Sequence, residues 1–235
     1  MKLSTTTASA MSDGVKVLVY GEAGSGKTIL CATAPSPVII SAESGLLSLT
    51  RKNIERVYGV NTPGVCYDIP VVQVESFDDL AEAYSYVLAP QFGTVCLDSI
   101  TEIAEVVLAN EKKANKDPRK AYGETQDKMA GLVRGFRDIK GKHVYMSAKV
   151  EFVKDDLTGA MRWGPAMPGT KLSQMLPYYF DEVWRLGVVR DKEGRSARYL
   201  QTQLDQTSVA KDRSGSLEMW ERPHLGECFN KILGE

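Results

Sequence analysis

Short, β-branched apolar runs alternate along the first two-thirds of the chain with longer stretches in which apolar residues recur at helical spacing. Val15–Tyr20, Pro37–Ser41, Ile69–Val74, Thr94–Asp98 and His143–Ala148 predict strands, and their near-continuous apolarity predicts burial on both faces. Thr28–Ala34, Leu46–Val57, Phe77–Leu88, Ile100–Asn115 and Ala121–Lys140 predict the helices between them. That alternation builds an α/β fold, a mostly parallel sheet flanked by helices and joined by right-handed crossovers. After Ala148 the texture changes. Gly and Pro punctuate Glu151–Thr170, which reads as a long loop; Glu182–Val189 and Ser196–Thr202, around a turn at Asp191–Gly194, predict an antiparallel C-terminal extension of the sheet. Gly226–Glu235 reads as a short tail.

With 235 residues, 43% of them apolar, the chain can bury one sizeable core, so residues 14–235 are expected to form a single domain behind a flexible, Ser/Thr-rich tail at 1–13. Lys and Arg total 29 against 30 acids, which excludes a global field for nucleic acid or membrane and leaves only local surfaces. Cys31, Cys66, Cys96 and Cys228 are far apart and only two histidines are present, which leaves neither a zinc spacing nor a disulfide framework. They are expected to be reduced, mostly buried thiols. The sequence has no signal-type apolar region and no run long enough for a membrane span, so the expected location is cytoplasmic, away from any membrane.

Gly21-Glu22-Ala23-Gly24-Ser25-Gly26-Lys27-Thr28 satisfies G-x-x-x-x-G-K-[ST] directly after the strand Val15–Tyr20 and before a helix. Glycines permit the tight turn whose backbone N–H groups surround a phosphate; Lys27 reaches the β- and γ-oxygens, and the Thr28 hydroxyl suits Mg²⁺. The ligand expected is Mg-ATP. A second metal-side oxygen should end a buried strand, where Thr94–Asp98 supplies Asp98. Ser99 to Glu102 is a capping-box pattern, so Asp98 is open to a helix-capping role as well. Ser99 also fills the place where AAA+ machines usually carry a catalytic glutamate, so the group that activates water must lie elsewhere.

The strand Pro37–Ser41 runs into Ala42-Glu43, and at this point the chain resembles the RecA-like recombinase core, over Val15 to about Leu217. The resemblance implies that Glu43 orients the attacking water, that Ser147 or Lys149 senses the γ-phosphate, and that two loops face DNA. The matching positions are Glu111–Lys120 and Glu151–Thr170. Both are locally basic: Lys112, Lys113, Lys116, Arg119 and Lys120 crowd the first, while Lys154, Arg162 and Trp163 share the second. Cations beside an aromatic suit single-stranded DNA. The resemblance further implies that Lys211 and Arg213, at strand spacing, reach the γ-phosphate of a neighbouring subunit in a homo-oligomeric ring or filament. In its compactness the chain is similar to phage-encoded RecA-like ATPases that assist strand annealing and homologous recombination, with a single-strand-binding protein as a possible partner. Two other readings stay open: a small-molecule kinase with Lys154 and Arg162 in a lid, and a nucleotide-gated binding module with negligible turnover.

Overall fold

The computed structural model describes residues 14–42, 46–154, 159–190 and 192–234. Its main sheet takes the order β11-β9-β8-β1-β5-β4-β2-β3, with β10 paired to one end of β8. The strands are β1 (Lys16–Tyr20), β2 (Pro37–Ser41), β3 (Val71–Gln73), β4 (Thr94–Asp98), β5 (His143–Ala148), β8 (Glu182–Arg190), β9 (Ser196–Gln201), β10 (Lys211–Asp212) and β11 (Trp220–Glu221). Six of them, β8, β1, β5, β4, β2 and β3, run parallel. β9 and β10 then pair antiparallel to β8, and β11 to β9. The expected mostly parallel sheet with an antiparallel extension is therefore present.

Alternation within the central strands shows why they are apolar throughout. Leu18, Tyr20, Val95, Leu97, Val144 and Met146 pack on one face, whereas Val17, Val19, Cys96, Tyr145 and Trp184 pack on the other. Helices cover the first face: α3 (Asp79–Val87), α4 (Ile100–Ala114), α5 (Pro118–Arg137) and the short α6 (Thr170–Met175) contribute Leu80, Ile103, Met129, Phe136 and Leu172. The second face is covered by α1 (Lys27–Leu30), a 3₁₀ turn at Cys31–Thr33, and α7 (Leu225–Leu233). The helix α2 (Arg51–Tyr58) lies outside α1 and buries Ile54 against Ile29 and Ala32.

Two expectations need correction. The supposed tail is the helix α7, which buries Leu225, Cys228 and Phe229; His224 caps it by accepting from the Glu227 N–H at 3.2 Å, and Thr33 Oγ1 accepts from Leu225 N at 2.8 Å. The supposed loop at Glu151–Thr170 contains a separate antiparallel pair, β6 (Val150–Lys154) and β7 (Met161–Pro165), in register Phe152 to Trp163. Cys31, Cys96 and Cys228 are buried and Cys66 is half-buried, all as free thiols. No helix among the described residues is long and apolar enough to cross a membrane.

Candidate functional site

The sheet order puts β5 between β1 and β4, so their C-terminal ends converge on one edge, where ligands of open α/β sheets bind. The loop from Gly21 to Thr28 leaves β1 at that edge. Gly24 (φ 75°) and Gly26 (φ 108°) take conformations that side chains resist, which lets the loop fold tightly back to α1. Lys27 Nζ donates to the carbonyls of Gly21 (2.8 Å) and Glu22 (3.0 Å), arching its ammonium over the loop. The Tyr145 hydroxyl holds the Lys27 carbonyl at 2.8 Å, and burial raises its pKa well above the ordinary phenol value. The loop, Asp98 and Ser99, and residues of α2 line one cavity of about 630 Å³.

Asp98 is buried, and its Oδ1 accepts a hydrogen bond from the buried Ser147 hydroxyl. Helix capping falls to Ser99, whose Oγ accepts from Glu102 N at 3.3 Å, so Asp98 is not the cap of α4. Asp98 and Thr28 line the same cavity. A carboxylate and a hydroxyl are hard oxygen donors, and Mg²⁺ is commonly held by so few protein oxygens together with phosphate. The donor set fits that ion. Among the described residues no cluster of three His, Cys, Asp or Glu side chains exists.

Of the two sensor candidates, Ser147 is tied to Asp98, and Lys149 reaches into the cavity beside Glu102. Lys149 pairs with Glu102 and Glu105, and the hydrogen bond it donates to the Glu102 carboxylate is the main reason its pKa is raised. Glu43 lies outside the described residues. Sequence reasoning missed Asn53 and Arg56 from α2, Glu102 from α4 and Arg198 from β9, all of which line the cavity. Their only signal was position in the fold.

The first basic segment meets the far end of the second, at Gly169, through Tyr122. Lys112, Lys113, Lys116, Arg119 and Lys120 are exposed where α4 meets α5, Lys112 Nζ lies 5.1 Å from the Tyr122 ring centroid, and Tyr122 sits 3.6 Å from where a Cβ on Gly169 would stand. Lys154 and Arg162 lie on the β6–β7 pair. Trp163 is not an open platform: Phe152 packs 3.7 Å from its ring centroid and the Arg185 guanidinium lies 5.2 Å over it. Phe152, 54% exposed, is the aromatic that the pair offers to solvent. The base of this pair is fastened to the nucleotide edge. Thr101 Oγ1 accepts from Lys149 N (3.0 Å) and donates to Ala166 O (2.8 Å), gripping both ends three residues beyond Asp98.

Lys211 and Arg213 do not line the cavity of their own phosphate loop and lie toward the N-terminal edge of the sheet. Lys211 pairs in register with Val183, beside the middle of β1, and Arg213 borders a second cavity with Gly14, Lys16 and Glu182 at the N-terminal edge. Lys211 Nζ donates to Pro177 O at 2.9 Å, and Arg213 pairs with Asp181 at 2.6 Å.

A family model described as an AAA domain matches residues 13–214. No curated protein matches the chain. Among solved structures, a KaiC-like protein from the hyperthermophilic archaeon Pyrococcus horikoshii OT3 is similar at a TM-score of 0.43 and 17% identity, over 80% of this chain and 77% of that one.

Proposed function

The chain belongs to the AAA domain family of P-loop ATPases, and we propose that it is a RecA-like member that hydrolyses Mg-ATP in response to single-stranded DNA and assists strand annealing or homologous recombination. One observation carries this reading: the Thr101 hydroxyl joins the nucleotide edge, just beyond Asp98, to both ends of the β6–β7 pair that carries Lys154 and Arg162. A change at the phosphate site thus has a short covalent and hydrogen-bonded route to a basic surface. In this reading Lys27 and Thr28 hold the triphosphate and its metal with Asp98, Glu43 positions water, and Lys149 exchanges its carboxylate partners for the γ-phosphate. Phosphoryl transfer asks the protein chiefly for positioning and charge stabilisation, which is what these residues offer. Lys211 and Arg213 serve the site of the next protomer, in a head-to-tail assembly that closes as a ring or extends as a filament.

The test is ATP turnover with and without single-stranded DNA, together with DNA affinity across a salt series. Turnover should rise with DNA, and log K should fall with log salt by about 0.7 for each phosphate neutralised. Reversing charge at Lys112, Lys113 and Lys116 should flatten that slope. Turnover indifferent to DNA, with a phosphorylated small molecule accumulating, would replace this reading with the kinase. Tight ATP binding with negligible turnover would replace it with the nucleotide-gated module.

A further inference from the structure

We infer that Arg198 is a phosphate-contacting residue of the same chain's nucleotide site, a role that rests on the reading of that cavity as a polyphosphate site. Arg198 comes from the antiparallel extension, more than 170 residues from the loop it touches. Strand alternation explains how it gets there. Leu200 points into the core face covered by α1, so Arg198, two residues earlier on β9, lies on that same face and beside the loop that opens α1. The strand pair is seated tightly against the loop: a Cβ on Gly21 would stand 2.5 Å from the Leu186 carbonyl oxygen of β8.

Arg198 Nε donates to the Ser25 carbonyl at 2.8 Å, and its side chain fills the space that a side chain on Gly26 would need, with Nε 2.9 Å from that Cβ position. Gly26 is therefore required both for its backbone conformation and for the guanidinium beside it. A guanidinium has five N–H donors in a rigid fork, and the Ser25 carbonyl takes one. The side chain lines the phosphate-loop cavity. A second observation lies at the same residue: the Ser25 hydroxyl is buried and has no hydrogen-bond partner among the described residues, the state of a group whose partner is a ligand or water. A flexible, planar cation held at one nitrogen beside an anion-binding turn suits bidentate contact with phosphate oxygens.

Equilibrium binding of ATP and of inorganic tripolyphosphate across a salt series, in wild type, Arg198→Ala and Arg198→Lys, tests the assignment, with Lys27→Ala as the reference for loss of the site. Arg198→Ala should weaken both ligands by about ten- to a hundredfold, the range of a charge-assisted hydrogen bond. It should also lower the slope of log K against log salt for tripolyphosphate, while Arg198→Lys keeps the slope. A latch that merely braces the loop leaves the slope unchanged, and that result overturns the assignment. So does a loss for ATP with tripolyphosphate unaffected, which would put Arg198 on the nucleoside. If wild type binds neither ligand, the polyphosphate reading itself falls; if binding depends on Lys27 but the slope ignores Arg198, only this inference does.

Discussion

At the C-terminal edge of the sheet, Lys27 donates to the carbonyls of Gly21 and Glu22; at the N-terminal edge, Lys16 donates to those of Ile139 (2.7 Å) and Lys142 (2.6 Å). The two bonding patterns are alike, yet the settings differ. Lys16 is buried, and its neighbour Lys142 donates in turn to Ala89 and Phe92, so these ammoniums satisfy carbonyls that would otherwise be stranded at turns and strand starts. Lys27 spans a glycine loop on the wall of an open cavity, and a triphosphate can outbid two neutral carbonyls for it. A buried cation is therefore read as function only after its partners and its access to solvent are known.

The sharpest break between the edges is expected from Lys27→Ala, which should abolish ATP hydrolysis and leave the unfolding transition in place. Activity at the wild-type rate would remove the phosphate loop from catalysis. Next comes Arg213→Ala, the proposed exception to an N-terminal edge devoted to folding: it should bind ATP normally and lose hydrolysis by about a thousandfold, as for a missing trans cation. Mixing it with Lys27→Ala chains should restore activity at interfaces that pair an intact loop with an intact cation. If both variants co-assemble and nothing returns, the edge is structural throughout. Lys16→Met should leave per-molecule ATP affinity unchanged and cost about 3 kcal/mol of stability by stranding two buried carbonyls, measured by denaturant unfolding.

The smallest effects are in pH. Burial, with Asp212 nearby, pushes the Glu182 carboxyl from about 4.5 up to about 8, against hydrogen bonds from Trp184 Nε1 and the backbone N–H groups of Arg213 and Ser214. The folded state then holds a proton that the unfolded state releases, so this group's contribution falls as pH rises between those values. Burial, aided by the Lys16 charge, lowers His143 from 6.5 to about 4, and its Nδ1 accepts from Val15 N at 3.1 Å. Its contribution is full above about 6.5 and is lost on acidification toward about 4. The two slopes oppose each other between about 4.5 and 6.5, giving a plateau with a decline above it. Glu182→Gln should remove the alkaline decline in thermal melts, and His143→Asn should tilt the plateau downward with rising pH. Unchanged profiles would discount both groups.

The central strands and the phosphate loop were legible because their signals are local: continuous apolarity for two-sided burial, and glycines where the backbone turns left-handed. Asp98 could be placed, but its freedom from the capping role could not, since Ser99 and Asp98 are equally good caps by composition. The helix α7 was readable in Leu225, Cys228, Phe229 and Ile232, a spacing of three, four and seven that was passed over because it occupies a chain end. The β6–β7 pair was obscured by half-burial, which weakens alternation, and by Gly164 and Pro165 within its second strand. Arg198 left no local trace. Its place depends on how β9 lies against a loop made 170 residues earlier.

That last separation has a consequence for how the molecule comes into being on the ribosome. β1 is synthesised first, yet both of its neighbours, β5 at 143–148 and β8 at 182–190, come more than 120 residues later. At about 5–20 residues per second, the first strand waits on the order of ten seconds before its second edge is paired. During that interval the emerging chain carries the complete Gly21–Thr28 motif without the walls that give it shape. Of the residues lining the phosphate-loop cavity, Arg198 is the last to be made, so a chain that ends before β8 is expected to bind nucleotide more weakly than the finished protein.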